Sequence, residues 1–148
     1  MIIAVVVSLL ALGLAAAAFF KPKHGDAPAA PQYSDQQVAD AKKNLCDAYN
    51  DMHEAIRNAG GFTSEDPNQK YMIALNTRLA FNTAADHLLA AAARNPEGPS
   101  ELLSAARNLA YSYQKVVLAQ TAQASADALD HLYTESDTWV DSIKKVCG

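Results

Sequence analysis

Residues 34–61, SDQQVADAKKNLCDAYNDMHEAIRNAGG, decide the fold of this chain. Ser34, with Gln37 three residues on, forms the capping box that opens a helix. Val38, Ala41, Leu45, Ala48, Met52, Ile56 and Ala59 recur at three- and four-residue steps, while Asp40, Lys43, Asp47, Asn50, Glu54 and Arg57 fall on other faces. That is the pattern of a helix with one buried and one wet side. Gly60-Gly61 supplies the end, because glycine can take the left-handed conformation that closes helices.

The same reading carries forward through three more helices. Phe62 to Asp66 is a turn, and Asp66-Pro67 is a cap followed by proline at the first helical position, where its missing N–H does no harm. Helix 2 then runs to about Arg94, with Tyr71, Met72, Leu75, Leu79, Leu88 and Leu89 as its larger apolar residues. Asn95-Pro96-Glu97-Gly98-Pro99 stops it. Helix 3 begins near Pro99 or Ser100, shows Leu102, Ala106, Leu109, Tyr113, Val116 and Val117 at helical spacing, and reaches about Ala122. Gln120 to Ala126 has neither Gly nor Pro, so one bent rod is conceivable. A break is preferred, with Ser125 or Asp127 as cap, because a helix from 99 to 147 would be roughly 70 Å long and could not fold back on a small core. Helix 4 carries Leu129, Leu132, Trp139, Val140, Ile143 and Val146 on one face, with Lys144 and Lys145 in its last turn complementing the helix dipole.

Four amphipathic helices on short loops pack most simply as an all-α, antiparallel up-and-down four-helix bundle. Alanine, about a fifth of the chain, favours helix on intrinsic propensity. Residues 34–148, about 115 in number, suffice for one core and are too few for two.

Ahead of this domain, Met1 to Phe20 has no charged side chain and only Ser8 and Gly13 as weak interruptions. At 1.5 Å per residue it spans roughly 30 Å, the thickness of a bilayer's hydrocarbon core, and it reads as a single transmembrane helix. A cleaved signal peptide is the competing reading, since Ala27-Pro28-Ala29 has the small-x-small form, but signal h-regions are about 7–15 residues long and follow a basic segment. Residues 21–33, KPKHGDAPAAPQY, have three prolines and no apolar period, and read as a spacer. Lys21 and Lys23 beside the apolar run favour a cytoplasmic domain by the positive-inside rule. The cysteines favour the opposite side, and the domain is read as extracytoplasmic.

Cys46 and Cys147 are the only cysteines and form no CxxC or CxxCH element. In the antiparallel bundle helices 1 and 4 lie side by side, which brings Cys147 level with Cys46 and predicts a disulfide. Closing a loop of about 100 residues, it would contribute up to roughly 4.7 kcal/mol in the chain-entropy description. Two free thiols in a cytoplasmic domain are the alternative.

Around Ala41-Lys42-Lys43-Asn44-Leu45-Cys46-Asp47-Ala48-Tyr49 the chain resembles a group of actinobacterial, chiefly mycobacterial, membrane-anchored alanine-rich proteins. The likeness also covers the hydrophobic N-terminus, the Pro/Ala linker and the cysteine near the C-terminus. It implies a cell-envelope location and brings no catalytic residues.

The chemistry-bearing patterns are sparse. The net charge of −4 argues against a nucleic-acid partner, which needs a basic excess. His53-Glu54, Asp86-His87 and Asp130-His131 are acidic-histidine neighbours, but adjacent residues sit about 100° apart on a helix and do not converge on a metal. Asp127 and His131 share a face, as one such pair often does by chance. No Gly-x-Ser-x-Gly, Ser-x-x-Lys or glycine-rich phosphate loop is present, and neither an enzyme nor a cofactor is expected. Trp139, Tyr49, Tyr113 and Tyr133 could line a ligand slot, though aromatics at helical spacing are more often plain core. Lys42, Lys43, Lys144 and Lys145, joined by Lys21 and Lys23, could form a basic patch facing anionic lipid headgroups. Dipole complementation and solubility explain the same lysines.

The expected function is that of a non-enzymatic, membrane-tethered module, a scaffold or accessory subunit of an envelope membrane complex. A carrier or sensor of an apolar ligand held between the helices is the alternative.

Overall fold

The ends of each helix follow from their local chemistry. A computed structural model describes residues 32–148, and its elements are four helices: α1 (Asp35–Gly60), α2 (Pro67–Arg94), α3 (Ser100–Thr121) and α4 (Ala126–Cys147). Ser34 caps α1 in a reciprocal box, its hydroxyl accepting from the Gln37 N–H at 3.2 Å and its own N–H donating to Gln37 Oε1 at 2.9 Å. Asp66 Oδ1 accepts from the N–H groups of Asn68 (2.8 Å) and Gln69 (3.1 Å) at the start of α2. Ser125 caps α4 by accepting from Ala128 N–H. These bonds satisfy backbone donors that a helix start leaves free.

The junction between α3 and α4 is a true break. Gln123 turns it with a left-handed φ of 56°, a strained position for a residue with a side chain. At the end of α1 the expected left-handed glycine does not occur: Gly61 has a φ of −76° and is right-handed. Glycine serves there by lacking a Cβ, which would stand 2.9 Å from the Arg57 carbonyl oxygen.

Side-chain bonds and ring contacts set consecutive helices antiparallel. Asn44 meets Asn95 and Ala59 meets Thr77 between α1 and α2; Phe81 meets Tyr113 and Arg78 meets Gln120 between α2 and α3; Lys115 meets Glu135 and Gln120 meets Tyr133 between α3 and α4. The described residues thus form an all-helical four-helix bundle with no strand.

The core is built on Leu45 of α1, Leu88 of α2, Leu102 and Leu109 of α3, and Ile143 of α4, all essentially inaccessible. Between the leucines, Ala84, Ala85, Ala91 and Ala92 of α2 face Ala105, Ala106 and Ala110 of α3 as buried residues of the same cluster. Small side chains let helix axes approach closely. Buried Ser112 and Ser136 donate to carbonyls of their own preceding turns, Leu109 and Leu132, so neither hydroxyl is left unpaired. Consecutive helices pack along much of their length, while α1 and α4 touch only over a short stretch.

One expectation changes on α2. Its apolar residues in the first half are not buried: Phe62 in the preceding turn, with Tyr71, Met72, Leu75 and Leu79, is among side chains 37–69% exposed. The register explains this. Thr77 Oγ1 donates to Ala59 O, next to the end of α1, and Arg78 Nη2 donates to Gln120 O, next to the end of α3. Residues 67–76 therefore extend past the ends of α1 and α3 by about 15 Å, while Leu79 lies alongside α1 and is exposed because the groove it lines there is open. Phe81, one turn further in, is buried instead.

Met1–Phe20, the spacer as far as residue 31 with Lys21 and Lys23, and Ala27-Pro28-Ala29 lie outside the described residues. Among the described residues no helix is long and apolar enough to cross a membrane.

Candidate functional site

Cys46 on α1 and Cys147 at the end of α4 are joined in a disulfide, their Cα atoms 5.7 Å apart. The antiparallel order predicts this meeting, and both residues pack against the core edge. The bond fastens the last residue of α4 to the middle of α1.

Two surface features flank α1, and the helices shape each. On the α2 side, the outer seam grades from polar to apolar. Its lower part, about 400 Å³, is lined by Asn44, Asp47, Asp51, His87, Arg94 and Asn95. Its upper part, about 370 Å³, has walls of Met52, Ala55, Ala59, Leu79, Ala80 and Ala84. Asp51 and His87 border both. Leu79 also belongs to the exposed apolar stripe of α2, so groove and stripe are one surface.

The lower end of this seam is tied down by Asn95, which the sequence marks only as a helix stop. Buried Asn95 accepts from Asn44 Nδ2 at 3.0 Å and donates from its own Nδ2 to Ala91 O at 2.8 Å. Its carbonyl also accepts from Gly98 N–H. Gly98 is needed because a Cβ there would stand 2.7 Å from Leu45 Cδ1 in the core.

On the α4 side, α1 and α4 diverge above the disulfide and leave a cleft of about 280 Å³. Its aromatic members are Phe81, Tyr113 and Tyr133. Phe81 meets Tyr113 edge-on at 4.8 Å between ring centroids and Tyr133 at 6.5 Å. Ile56 and Val140 add apolar surface, and His53, Arg57, Lys144 and Asp137 add polar groups. Among the described residues the ion pairs are Lys43–Asp47, Lys70–Glu65 and Lys115–Glu135, so Arg57, Lys144 and Asp137 are unpaired.

The four aromatic residues named from the sequence do not make one slot. Tyr49 is buried beside the cleft and stacks on His53 at 5.7 Å; its hydroxyl is buried with no hydrogen-bond partner among the described residues. Burial pushes the Tyr113 phenol well above its ordinary range, helped by the neighbouring Tyr49 and Asp137. Trp139 faces away, into a separate hollow with Tyr111, Lys115 and Leu118 between α3 and α4.

Of the other candidate residues, Lys42, Lys43, Lys144 and Lys145 are exposed. Lys43 pairs with Asp47 at 2.6 Å, which raises its pKa through that hydrogen bond and the carboxylate's charge. Lys144 borders the α1/α4 cleft. His87 and His131 are exposed and His53 is half-buried. Among the described residues no group of three or more His, Cys, Asp or Glu side chains converges. Compared with protein-family models, with characterised proteins and with solved structures, the chain matches none.

Proposed function

We propose that this protein is a non-enzymatic, membrane-tethered module whose extracytoplasmic bundle docks a helix of another envelope membrane protein, as a scaffold or accessory subunit. The observation that carries the reading is the continuous apolar surface running from Met72 and Leu75 through Leu79 into the groove between α1 and α2. A contiguous apolar patch of this kind on a small domain marks an interaction site.

The surface suits a helix. Ala55, Ala59, Ala80 and Ala84 let a visiting backbone come close, and Met72 adapts its shape to a partner. Asp51, in no ion pair among the described residues, borders the polar end and selects a partner helix with apolar residues at i, i+3/i+4 and i+7 and a Lys or Arg at the end that reaches it. The apolar Met1–Phe20 segment supports the tether, and the cystine supports an oxidising, extracytoplasmic compartment. The lysines at positions 21, 23, 42, 43, 144 and 145 are proposed to face anionic headgroups.

The test is site-specific photo-crosslinking of the full chain in its own membrane, with the photoreactive residue at position 79 and, as control, at position 118 on the α3/α4 side. One protein captured from 79 and not from 118, and lost when Ala55→Arg blocks the groove, is the expected result. Capture of lipid alone, of a second copy of this chain, or of the same proteins from both positions would overturn the reading.

A further inference from the structure

We infer that the hollow between α3 and α4 binds a neutral saccharide, with Tyr111 and Trp139 as its stacking platforms. This goes beyond the proposed docking and shares none of the residues that line the groove between α1 and α2.

The register of the two helices brings the aromatic residues together. Lys115 Nζ donates to Glu135 Oε1 at 2.8 Å, which sets those residues level. Tyr111 precedes Lys115 by four residues and Trp139 follows Glu135 by four. Because α3 and α4 run in opposite directions, the two rings belong to one level, a helical turn and about 6 Å along the axis from the ion pair. Both border the same hollow, one from each helix. Tyr111 is 53% exposed, so a ligand has aromatic surface to cover. Trp139 is half-buried and packs against the core cluster, which holds its ring in place before anything binds. Among the described residues the stacked or edge-on ring pairs are Tyr49–His53, Phe81–Tyr113 and Phe81–Tyr133. Tyr111 and Trp139 therefore do not occupy each other.

Chemistry selects the ligand. A sugar ring has an apolar face of C–H groups that lies on an aromatic ring, and a rim of hydroxyls that need both donors and acceptors. Asn108, Gln114, Lys115 and Glu135 border the hollow beside the two rings and supply both kinds. Asn108 and Gln114 are half-buried and take no part in the side-chain bonds that join α3 to α4. A purely apolar ligand would desolvate these amides and the ion pair without replacing their bonds to water. Lys115 and Glu135 cancel one another's charge, so nothing in the hollow favours an ionic ligand over a neutral one. At about 460 Å³ the space lies within the ~300–1,000 Å³ typical of small-molecule sites.

Trp139 is the only tryptophan of the chain, so its emission reports occupancy directly. The full chain in lipid nanodiscs is titrated with cellobiose, lactose and mannobiose. Sorbitol, which has the hydroxyls without the ring, and glucuronate, which adds a charge, are the controls. A saturable change in emission with at least one disaccharide, absent with sorbitol and weaker with glucuronate, is the expected result. Saturation-transfer NMR should show contact with the ring C–H protons of that disaccharide. Tyr111→Ala weakens its binding at least about fivefold and Tyr111→Phe retains it within about twofold; an unchanged thermal transition shows that each variant is folded. No response to any of the three disaccharides, an equal response to sorbitol, tighter binding of glucuronate, or indifference to Tyr111→Ala overturns the proposal. A protein photo-crosslinked from position 111 in the native membrane would assign the hollow to a polypeptide and overturns it too. Ala55→Arg, which blocks the docking groove, leaves the sugar response unchanged, so this site and the docking surface fail or stand separately.

Discussion

Cys46 and Cys147 lie 101 residues apart in sequence and 5.7 Å apart at their Cα atoms, and they join two helices that pack on each other far less than consecutive helices do. The first and last helices of an up-and-down bundle have no connecting loop. Where their seam is thin, a covalent bond replaces the side-chain burial that other seams supply.

Cys147→Ser is therefore expected to cost about 2–5 kcal/mol, much of a small domain's stability. At roughly 3–6 °C per kcal/mol for a domain of this size, the midpoint falls by about 6–30 °C. Thermal unfolding followed by circular dichroism, with and without reductant, checks this. Reductant should lower the wild-type transition and leave that of the variant in place.

Tyr49→Phe is expected to be neutral or stabilising, by up to about 1 kcal/mol. The Tyr49 hydroxyl is buried without a partner among the described residues, and removing an unsatisfied polar atom relieves its desolvation cost while the ring keeps its packing. Denaturant unfolding measures the sign. A loss above about 1 kcal/mol would show that the hydroxyl has a partner in solution.

Leu88→Ala and Leu118→Ala separate core from surface. Leu88 is fully buried and Leu118 is 69% exposed. The first substitution opens a cavity and should cost about 2–5 kcal/mol, the second within about 0.5 kcal/mol. Urea titrations of both variants report the difference as a shift in midpoint at constant slope.

Alkaline pH should destabilise the bundle through Tyr113. Burial raises its phenol above the ordinary value of 10.0, so the folded chain keeps a proton that the unfolded chain releases. Above that value the unfolded state binds fewer protons and stability falls as pH rises; below it the contribution is fully present. Unfolding midpoints measured from pH 8 upward should decline from near pH 10, and Tyr113→Phe should flatten the decline.

Gly98→Ala tests the close approach of the α2/α3 loop to the core. A Cβ there meets Leu45 Cδ1 at 2.7 Å and Asn95 O at 3.2 Å, and Leu45 is buried with little room to turn. Overpacking of this kind costs about 1–3 kcal/mol, read as a lower unfolding midpoint.

Much of the helical layout was legible because its signals are local. The Ser34/Gln37 box, Asp66-Pro67 and Ser125 each act within one helical turn, and all three cap as their chemistry requires. Leu45, Leu102, Leu109 and Ile143 follow the helical period into the core. Gly61 is right-handed where its place at a helix end suggests the left-handed form, because a glycine that tolerates a left-handed backbone and one that avoids a carbonyl look identical in sequence. Tyr71, Met72, Leu75 and Leu79 show the same ambiguity. An apolar stripe reads alike whether a neighbour covers it or not. The Phe81–Tyr113–Tyr133 cluster could have been anticipated only from the relative rotation of three helices.

By itself the sequence determined four helices, their caps and a pairing of the first with the last through two cysteines, because hydrogen-bond capping and apolar periodicity depend on near neighbours and short loops leave few packing orders. Tertiary structure alone decided that α2 overhangs its partners, that its leading stripe is exposed, and that α1 and α4 part above their disulfide. Those features depend on helix lengths measured against one another and on where each axis comes to rest, and both are settled only when side chains from distant segments compete for the same core volume.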